Sequence, residues 1–471
     1  MDQESSLLVR FERMRDAARA MPEVPAKLRQ QRLRALDRLL RSNAGALLEA
    51  VSRDFGHRSP SETRLLELFP CYAAIRHALC HVHGWMRPRR VGVDLWFQPA
   101  RAEVRCQPLG VVGIVVPWNY PLFLAVAPLV GALAAGNRAM LKLSEYTPAT
   151  SALFASLVAR EFAEDVVTVI EGDAAVGQAF SALPFDHLLF TGATSVGREV
   201  MRAAAANLTP VTLELGGKSP VIIGPHADFA HAVERVIVGK LLNAGQTCVA
   251  PDYVLLPAGR EAEFVAEAQR VVAACYPELA GTLDYTHIIS ERHFARLTGL
   301  LDAARAAGAE VIELAPGVAP DPLTRRLPPY LVRGADHSLR LMQDEIFGPL
   351  LPLVPYDAVQ GVGAAIDYVN ARPRPLALYV FERDKRSIER VLGCTVSGGV
   401  TVNDTLLHVA QEGLPFGGVG PSGMGRYHGY AGFAAFSAQK SVFRQSRFSG
   451  IGLFKPPYGV LFKRLMRLLL R

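Results

Sequence analysis

The sequence lacks the features that mark several classes of protein. Its six cysteines show no C-x-x-C spacing, which argues against a zinc site and a disulfide framework, so we expect no metal. No stretch reaches the roughly 20 uninterrupted apolar residues of a transmembrane helix. The longest apolar run, 122–135, therefore predicts a buried helix. The N-terminus opens with acidic residues, unlike a secretory signal, and we expect a cytoplasmic protein.

A basic patch is also missing. The formal net charge is +7, but the arginines are spread from Arg10 to Arg471 among many acids and are not interleaved with aromatic residues. We therefore expect no nucleic-acid partner. The chain has 471 residues, of which 50% are hydrophobic and 20% charged. A chain of this length and composition can bury large cores and should form more than one domain.

An α/β pattern follows an all-helical beginning. Apolar residues recur at helical spacing over 7–51, and Pro22 and Pro25 divide this stretch into two helices. Short apolar strands then alternate with helical stretches, which is typical of doubly wound parallel sheets. The first sheet is predicted from 111–116, 139–143, 166–171, 187–190 and 211–215, and the second from 221–223, 253–256, 310–314, 350–354, 376–381 and 399–402. The junction lies beside Glu214, and a cleft between two such units is where ligand sites concentrate.

One cysteine has the surroundings of a reactive group. Cys248 follows a glycine, a glutamine and a threonine and precedes a predicted strand, so its thiol should lie at the edge of an element. Glu214 ends a predicted strand just before two glycines. Each residue also has a purely structural interpretation. Cys248 could be an inert small hydrophobic residue, and Glu214 could be the partner of Lys218 in a structural ion pair.

A dinucleotide site is indicated by a strand, a glycine and a helix start. Strand 187–190 is followed by Gly192 and by a helix beginning near Ser195, with Gly197 in its first turn. The usual G-x-G-x-x-G fingerprint is absent, so from these residues alone a structural tight turn is the better explanation. Lys142 and Glu145 end another strand, where a carboxylate would bind ribose hydroxyls and favour NAD over NADP. An inert surface ion pair is the alternative for these two residues.

Seven segments in one order resemble the signatures of the NAD(P)-dependent aldehyde dehydrogenase superfamily. They lie at 117–121, 142–145, 190–197, 214–219, 243–253, 345–349 and 415–420. The resemblance covers nearly the whole chain. Within the superfamily, the sequences of segments 247–253, 402–408 and 422–429 are similar to those of the branch that holds fatty-aldehyde and coniferyl-aldehyde dehydrogenases. The resemblance implies oxidation of an aldehyde, aromatic or apolar aliphatic, to the carboxylic acid.

The resemblance also implies roles for particular residues. Cys248 would be the nucleophile and Glu214 the general base that activates water for thioester hydrolysis. The side-chain amide of Asn119 would stabilise the oxyanion, although a simple turn residue is the alternative.

In the cofactor site, Glu345 and Phe347 match the pair that holds the nicotinamide ribose and ring, with Trp118 and Leu215 beside them. Phe347 could instead be a core aromatic. Ala193 stands where many members have serine, so Thr194 or Ser195 would have to contact the phosphate. NAD is expected, with NADP possible.

The implied fold has a Rossmann-type cofactor domain, an α/β catalytic domain and a small bridging β element. We expect these at 1–92 with 108–215, at 216–410, and at 93–107 with 430–450, followed by a C-terminal helix within 451–471. Residues 93–98 and 103–106 predict the projecting hairpin of the bridging element, and a homodimer is implied. The terminal helix would pack near the substrate entrance, pack on a subunit or lie on a membrane surface, and the first is favoured.

Other functions remain open at this point. A CoA-acylating relative would release the thioester to CoA, but such relatives generally lack the base at Glu214. A cofactor-independent cysteine esterase would not need the Lys142 and Glu145 elements, and a silent structural relative would need neither nucleophile nor base. His408 could line the substrate mouth or be a hydrogen-bonded structural residue.

Overall fold

The computed structural model describes residues 3–470, without the side chains of 3–5, 451 and 453. The α-helices are α1 (Gln3–Ala20), α2 (Ala26–Ser42), α3 (Ala44–Phe55), α4 (Pro60–Thr63), α5 (Phe69–Trp85), α6 (Phe123–Ala135), α7 (Pro148–Glu161), α8 (Ala174–Ser181), α9 (Thr194–Ala205), α10 (Phe229–Leu241), α11 (Glu261–Cys275), α12 (Glu291–Ala306), α13 (Arg340–Gln343), α14 (Val362–Asn370), α15 (Lys385–Cys394), α16 (Leu407–Ala410), α17 (Gly429–Ala435) and α18 (Val460–Leu469). No helix among the described residues is long and apolar enough to cross a membrane.

The strands are β1 (Arg89–Val91), β2 (Arg101–Pro108), β3 (Val111–Val115), β4 (Arg138–Lys142), β5 (Val167–Ile170), β6 (His187–Gly192), β7 (Val211–Leu215), β8 (Pro220–Ile223), β9 (Tyr253–Pro257), β10 (Glu310–Glu313), β11 (Tyr330–Arg333), β12 (Leu350–Tyr356), β13 (Ala377–Phe381), β14 (Gly399–Val402), β15 (Gly423–Met424) and β16 (Ser437–Arg444). They form three sheets, in the orders β15-β7-β6-β3-β4-β5, β10-β11-β12-β9-β8-β13-β14 and β1-β2-β16.

The six-stranded sheet confirms the predicted Rossmann-type arrangement. Strands β7, β6, β3, β4 and β5 are parallel, and their residues are almost all buried because helices cover both faces. Helix α6 is buried along its whole length, as its unbroken apolar run predicts. The antiparallel edge strand β15 comes from far along the chain and pairs Gly423 with Glu214. The last part of the chain therefore returns to the end of β7.

The seven-stranded sheet is the predicted second α/β unit. Its strands are parallel except β10, which pairs with β11 in antiparallel fashion. Strand β11 was not predicted, because its four residues follow a proline-rich loop and show no alternation. The predicted strands otherwise agree with the observed ones to within about two residues.

The small bridging sheet corrects one prediction. Residues 93–98 do not form a strand: Leu95–Phe97 is a single 3₁₀ turn, and the first hairpin strand is β1, a few residues earlier. The alternating pattern of 93–98 failed because the turn residues Leu95, Trp96 and Phe97 are all exposed and face no core. Strand β2 pairs with β16 along its whole length, so the late strand predicted near 439–444 is present.

The C-terminal helix lies apart from both large sheets. Helix α18 has no buried residues, and its main contacts are with the 3₁₀ turn Gly450–Phe454, which in turn contacts the Leu95–Phe97 turn. Within one chain the helix therefore belongs with the bridging element. Coverage of a substrate entrance by α18 stays a prediction.

Candidate active site

The loop that carries Cys248 is held in a strained and extensively bonded form. After α10 the chain turns through Asn243 and Ala244, whose φ angles of 54° and 51° are unusual for residues other than glycine. The Asn243 amide donates to the Asn119 and Gln246 carbonyls, both at 3.1 Å. The Gln246 side chain in turn bonds the carbonyls of Asn243 and His287, at 3.0 and 3.1 Å. The polar residues around the cysteine therefore fix its backbone.

Asn119 lies against this loop. Its side-chain amide donates to the Gln246 carbonyl at 3.2 Å, two residues before Cys248. Its own carbonyl accepts from the guanidinium of Arg58 at 3.1 Å, and Arg58 is ion-paired with Glu67 at 2.7 Å. Arg58 and Glu67 are both 0% exposed. The predicted oxyanion residue and nucleophile are thus brought together, with one amide hydrogen of Asn119 left for another acceptor.

The thiol of Cys248 is half-buried and, in this state, protonated. Burial, together with the charges of Glu345 and Glu214, holds its pKa above the ordinary range. The backbone N–H groups of Cys248 and Val249 reach the sulfur and oppose this rise. Formation of the thiolate therefore needs a nearby base or positive charge.

Glu214 is a buried carboxyl group without a fixed partner. It is 3% exposed, and neither of its oxygens has a hydrogen-bond partner among residues 3–470. Burial raises its pKa well above the usual range, and the charge of Arg426 opposes this only in part. The alternative of an ion pair with Lys218 is not realised, because Lys218 is ion-paired with Asp252.

Two of the residues predicted for the nicotinamide end of the cofactor site, Phe347 and Trp118, are in contact. Phe347 has a φ of 52° and packs edge-on against Trp118, with ring centroids 5.3 Å apart. Burial raises the pKa of Glu345 to about 8, and one of its oxygens has no partner in the described part of the chain. The half-buried Trp118 connects this end to Asn119, its neighbour in sequence. Phe347 is therefore placed beside the cleft.

At the predicted adenosine end, the sequence left open whether Lys142 and Glu145 form an ion pair or whether the carboxylate is available to a ribose. The geometry is compatible with both. Lys142 and Glu145 do form an ion pair at 3.2 Å, and Lys142 also donates to the Gly172 carbonyl at 2.8 Å. The Lys142 ammonium group is almost buried, whereas 41% of the Glu145 side chain is exposed. The pair lies at the end of β4, so Glu145 remains accessible to a ligand.

The glycine turn after β6 is built for close packing. Strand β6 ends at Gly192 and α9 begins at Thr194. A Cβ atom at Gly197 would approach Leu215 Cδ2 to 2.6 Å, so this glycine lets α9 lie against the end of β7. The Thr194 hydroxyl donates to the Pro421 carbonyl at 3.3 Å, whereas the exposed Ser195 hydroxyl has no such bond within 3–470. Of these two hydroxyls, only that of Ser195 is exposed and without a bond in the described chain at the helix N-terminus, and its contact with a phosphate stays a prediction.

Several residues of the site were missed by sequence reasoning. Glu62 accepts hydrogen bonds from the Asn243 N–H at 3.2 Å and from the Thr286 hydroxyl at 2.5 Å. It lies in the helical lead-in with Arg58 and Glu67, more than a hundred residues before Cys248. No local signal marks them in the sequence, because Arg58 and Glu62 lie in the polar stretch 56–64, which is typical of an exposed segment, and their burial depends on contacts with distant residues.

Comparison with known proteins agrees with this geometry. The sequence model of the aldehyde dehydrogenase family matches residues 7–442. A probable coniferyl aldehyde dehydrogenase of Pseudomonas aeruginosa is 55% identical, over 97% of this chain and 94% of that protein. A coniferyl aldehyde dehydrogenase of a Pseudomonas species is 50% identical, over 95% of this chain and 93% of that protein. The structure of Staphylococcus aureus AldH in a substrate-bound state superposes with a TM-score of 0.92 at 35% identity, covering 98% of each chain. Fold, motifs and relatives agree, and the chain belongs to the aldehyde dehydrogenase family, whose members oxidise aldehydes to acids with NAD(P).

Proposed function

We propose that this enzyme oxidises an aromatic aldehyde of the coniferyl type with NAD, using Cys248 as nucleophile and Glu214 as base. The observation that carries the residue assignment is the buried carboxyl group of Glu214, which has no fixed partner among the described residues and raises the pKa of the Cys248 thiol. A structural glutamate would be satisfied by neighbours. A base must be free to take a proton. The names of the two Pseudomonas relatives support the aldehyde class.

In the first step the thiolate of Cys248 adds to the aldehyde carbon and creates an alkoxide. In this proposal the Asn119 amide, which lies against the loop of Cys248, and the Cys248 backbone N–H donate to this oxygen. A nicotinamide dinucleotide held by Glu345 and Phe347 would supply the hydride acceptor that oxidation of this adduct to the thioester requires. Glu214 then removes a proton from water, the water oxygen bonds to the acyl carbon, and the carbon–sulfur bond breaks to release the acid.

The residues at both ends of the cleft fit a dinucleotide. At one end Glu345 has an oxygen without a partner in the described chain, and Phe347 and Trp118 supply aromatic faces. At the other, the exposed Glu145 would accept from ribose hydroxyls and repel a 2′-phosphate, which supports NAD as the preferred cofactor.

We also propose a homodimer formed through the bridging element. Strand β16 pairs only with β2 and leaves its other edge open in the described chain. Beside it, Leu95, Trp96, Phe97 and Phe443 are each about half exposed or more. An open edge next to exposed aromatics is costly for a lone chain and suits pairing with a second copy. Sedimentation of the wild type and of Phe443→Lys tests this proposal.

The proposed function is tested by absorbance of NADH on addition of aldehyde. NADH formation with coniferyl aldehyde, without CoA, would support a non-acylating dehydrogenase. A strict requirement for CoA would identify the acylating reaction. Ester hydrolysis without any nucleotide, and no NADH, would identify a cysteine esterase and reject the proposal.

A further inference from the structure

Positive charge is concentrated in the last part of the sequence, residues 413–471, called here the basic segment. Arginines are spread along the whole chain, but the acidic residues that balance them stop at Glu412. The basic segment contains nine arginines and lysines and no aspartate or glutamate, which exceeds the formal net charge of +7. The rest of the chain is therefore slightly acidic. A segment of one sign attracts a surface of the opposite sign.

Helix α18 collects this charge on one face. Successive residues of a helix are turned by about 100°, so Lys463, Arg464 and Arg467 lie on the same side. The other side is apolar and carries Leu461, Phe462, Leu465, Met466, Leu468 and Leu469. A helix with two such faces normally buries the apolar one against a core.

In α18 the apolar face stays largely uncovered. The ring of Phe462 packs back on the preceding residues, with its centroid 4.5 Å from that of Tyr458 and 6.3 Å from that of Phe454. Leu461 and Leu468 are 57% and 65% exposed, and no residue of the helix is buried. A helix of ten residues is marginal in water without packing. The exposed leucines therefore indicate a partner outside the described chain.

The residues before the helix extend its basic surface. Arg447 and Lys455 are exposed, and Phe448 is 86% exposed. Glu103, which bonds Arg444 at 3.3 Å, is the only acidic partner of the basic segment among the ion pairs of the described chain. The cations of α18 and of the residues before it are therefore not neutralised by the protein's own acids.

We propose that α18 lies flat on the surface of an anionic phospholipid membrane. Leu461 and Leu468 would enter the boundary between headgroups and acyl chains, while the cations of the opposite face would meet lipid phosphates. Helices with an apolar face and a basic face bind interfaces in this way, and anionic lipids add affinity through each basic residue. Ten residues rise only about 15 Å, roughly half of the hydrocarbon core, so the helix lies on the membrane and does not cross it.

Two other partners agree less well with these observations. A two-fold contact between copies of α18 would bring uncompensated positive charges together. The substrate entrance, which the sequence favoured, is not where the contacts of the helix lie, because α18 packs mainly on the Gly450–Phe454 turn before it. An anionic lipid surface satisfies the charge and the apolar face at once.

The test is sedimentation of the full-length protein with vesicles. One set contains phosphatidylcholine mixed with phosphatidylserine, and the other contains phosphatidylcholine alone. We expect the wild type to bind the anionic vesicles at least roughly 10-fold more tightly, and less tightly as salt is raised. Arg464→Gln combined with Arg467→Gln should weaken this binding roughly 10- to 30-fold, because each cation near the surface contributes about five-fold.

A second pair of substitutions tests the apolar face. Leu461→Gln combined with Leu468→Gln should weaken binding roughly 10-fold or more while leaving the charge unchanged. Glutamine matches leucine and arginine in helix propensity, so circular dichroism should show an intact fold in both double variants.

Matched controls remove the same groups from other surfaces. Lys385→Gln combined with Arg386→Gln removes two exposed cations from α15. Leu323→Gln combined with Val359→Gln replaces two apolar residues that are 93% and 95% exposed. Both controls should bind anionic vesicles as the wild type does, because a bilayer contacts one surface of the protein.

Several outcomes would overturn the assignment. Equal binding to both kinds of vesicle, or binding to neither, would remove the anionic lipid. Loss of affinity in the arginine variant but not in the leucine variant would identify a general polyanion site. Conversion of dimers to monomers in the leucine variant, measured by sedimentation velocity without vesicles, would assign the apolar face to a second copy. A changed KM for bulky aldehydes, with unchanged vesicle binding, would assign it to the substrate entrance.

Discussion

The two sides of the catalytic cleft are held in opposite ways. On the nucleophile side, the side-chain amides of Asn119, Asn243 and Gln246 donate to backbone carbonyls of the loop and its neighbours. On the acidic side, Glu214 is buried and Glu345 is partly buried, and both keep oxygens without partners among the described residues. The amides that shape the loop are therefore anchored to the backbone, whereas the carboxyl oxygens proposed to act on ligands are left free.

On the nucleophile side of the cleft, substitution of Cys248 should have the largest effect on activity. We expect Cys248→Ala to abolish aldehyde oxidation, because the cleft offers no other nucleophile and the covalent step has no substitute. NAD binding, measured by fluorescence titration, should remain, since the loop is held by other residues. The matched control is Cys394→Ala, which removes an exposed thiol and should keep full activity. Substantial turnover by a clean Cys248→Ala preparation would remove the assignment.

On the acidic side of the cleft, substitution of Glu214 should have the next largest effect on activity. Glu214→Gln should produce a stoichiometric burst of NADH followed by turnover roughly 10²- to 10⁴-fold slower, because hydride transfer proceeds while the thioester accumulates. Stopped-flow absorbance measures both phases. Glu382→Gln is the control, since Glu382 is 0% exposed but accepts three backbone hydrogen bonds. Wild-type steady-state rates in Glu214→Gln would make Glu214 structural.

The hydrogen bonds on the nucleophile side of the cleft can be disrupted by a substitution at Arg58, which bonds the Asn119 carbonyl. Arg58→Met should destabilise the protein by about 3–5 kcal/mol, because it leaves the buried carboxylate of Glu67 unpaired. It should also lower kcat, since Arg58 holds the Asn119 carbonyl. Denaturant unfolding and steady-state kinetics measure the two effects. Adding Glu67→Gln should restore part of the stability, while Arg41→Met, at an ion pair whose arginine is 58% exposed, should cost much less. An equal loss in the free energy of unfolding for Arg58→Met and Arg41→Met would contradict this account.

The contrast also explains how much the sequence could predict. The strand pattern and the order of the motifs predicted the two large sheets and brought Cys248, Glu214 and Asn119 to one cleft. The π-helical turn Arg64–Leu68 that sets Glu67 against α6, and the reach of Arg58 to Asn119, depend on contacts between distant segments. No local pattern encodes such contacts. Hence the candidate reactive residues could be named from the sequence, and most of the residues that contact them could not.

The failure at the bridging hairpin has a related cause. Alternation predicts a strand only where one face meets a core, and Leu95, Trp96 and Phe97 are exposed in a single chain. Their apolar character suits a surface that a second chain would cover, as proposed above. In that proposal the alternating pattern reflects contacts outside the chain and not a core.

The pH dependence of turnover sharpens the contrast on the acidic side. Burial raises the pKa of Glu214, so the rate of thioester hydrolysis should keep increasing with pH beyond the range in which an ordinary carboxyl group titrates. Arg426 opposes the shift, and Arg426→Met should move the profile to higher pH because the pKa of Glu214 would rise further. Arg426→Lys keeps the charge and should move it less. A profile unchanged in Arg426→Met would show that another group limits the rate.

The smallest expected effect lies at the exposed end of the cleft. Glu145→Gln should raise the ratio of kcat/KM for NADP to that for NAD by only a few-fold, because the Glu145 side chain is 41% exposed and solvent screens its repulsion of a 2′-phosphate. Lys142 would stay in place through its bond to the Gly172 carbonyl. The control is Glu171→Gln, an exposed carboxylate after the neighbouring strand β5. The gain should shrink as salt is raised, and a ratio that does not change at any salt concentration would place Glu145 away from the ribose.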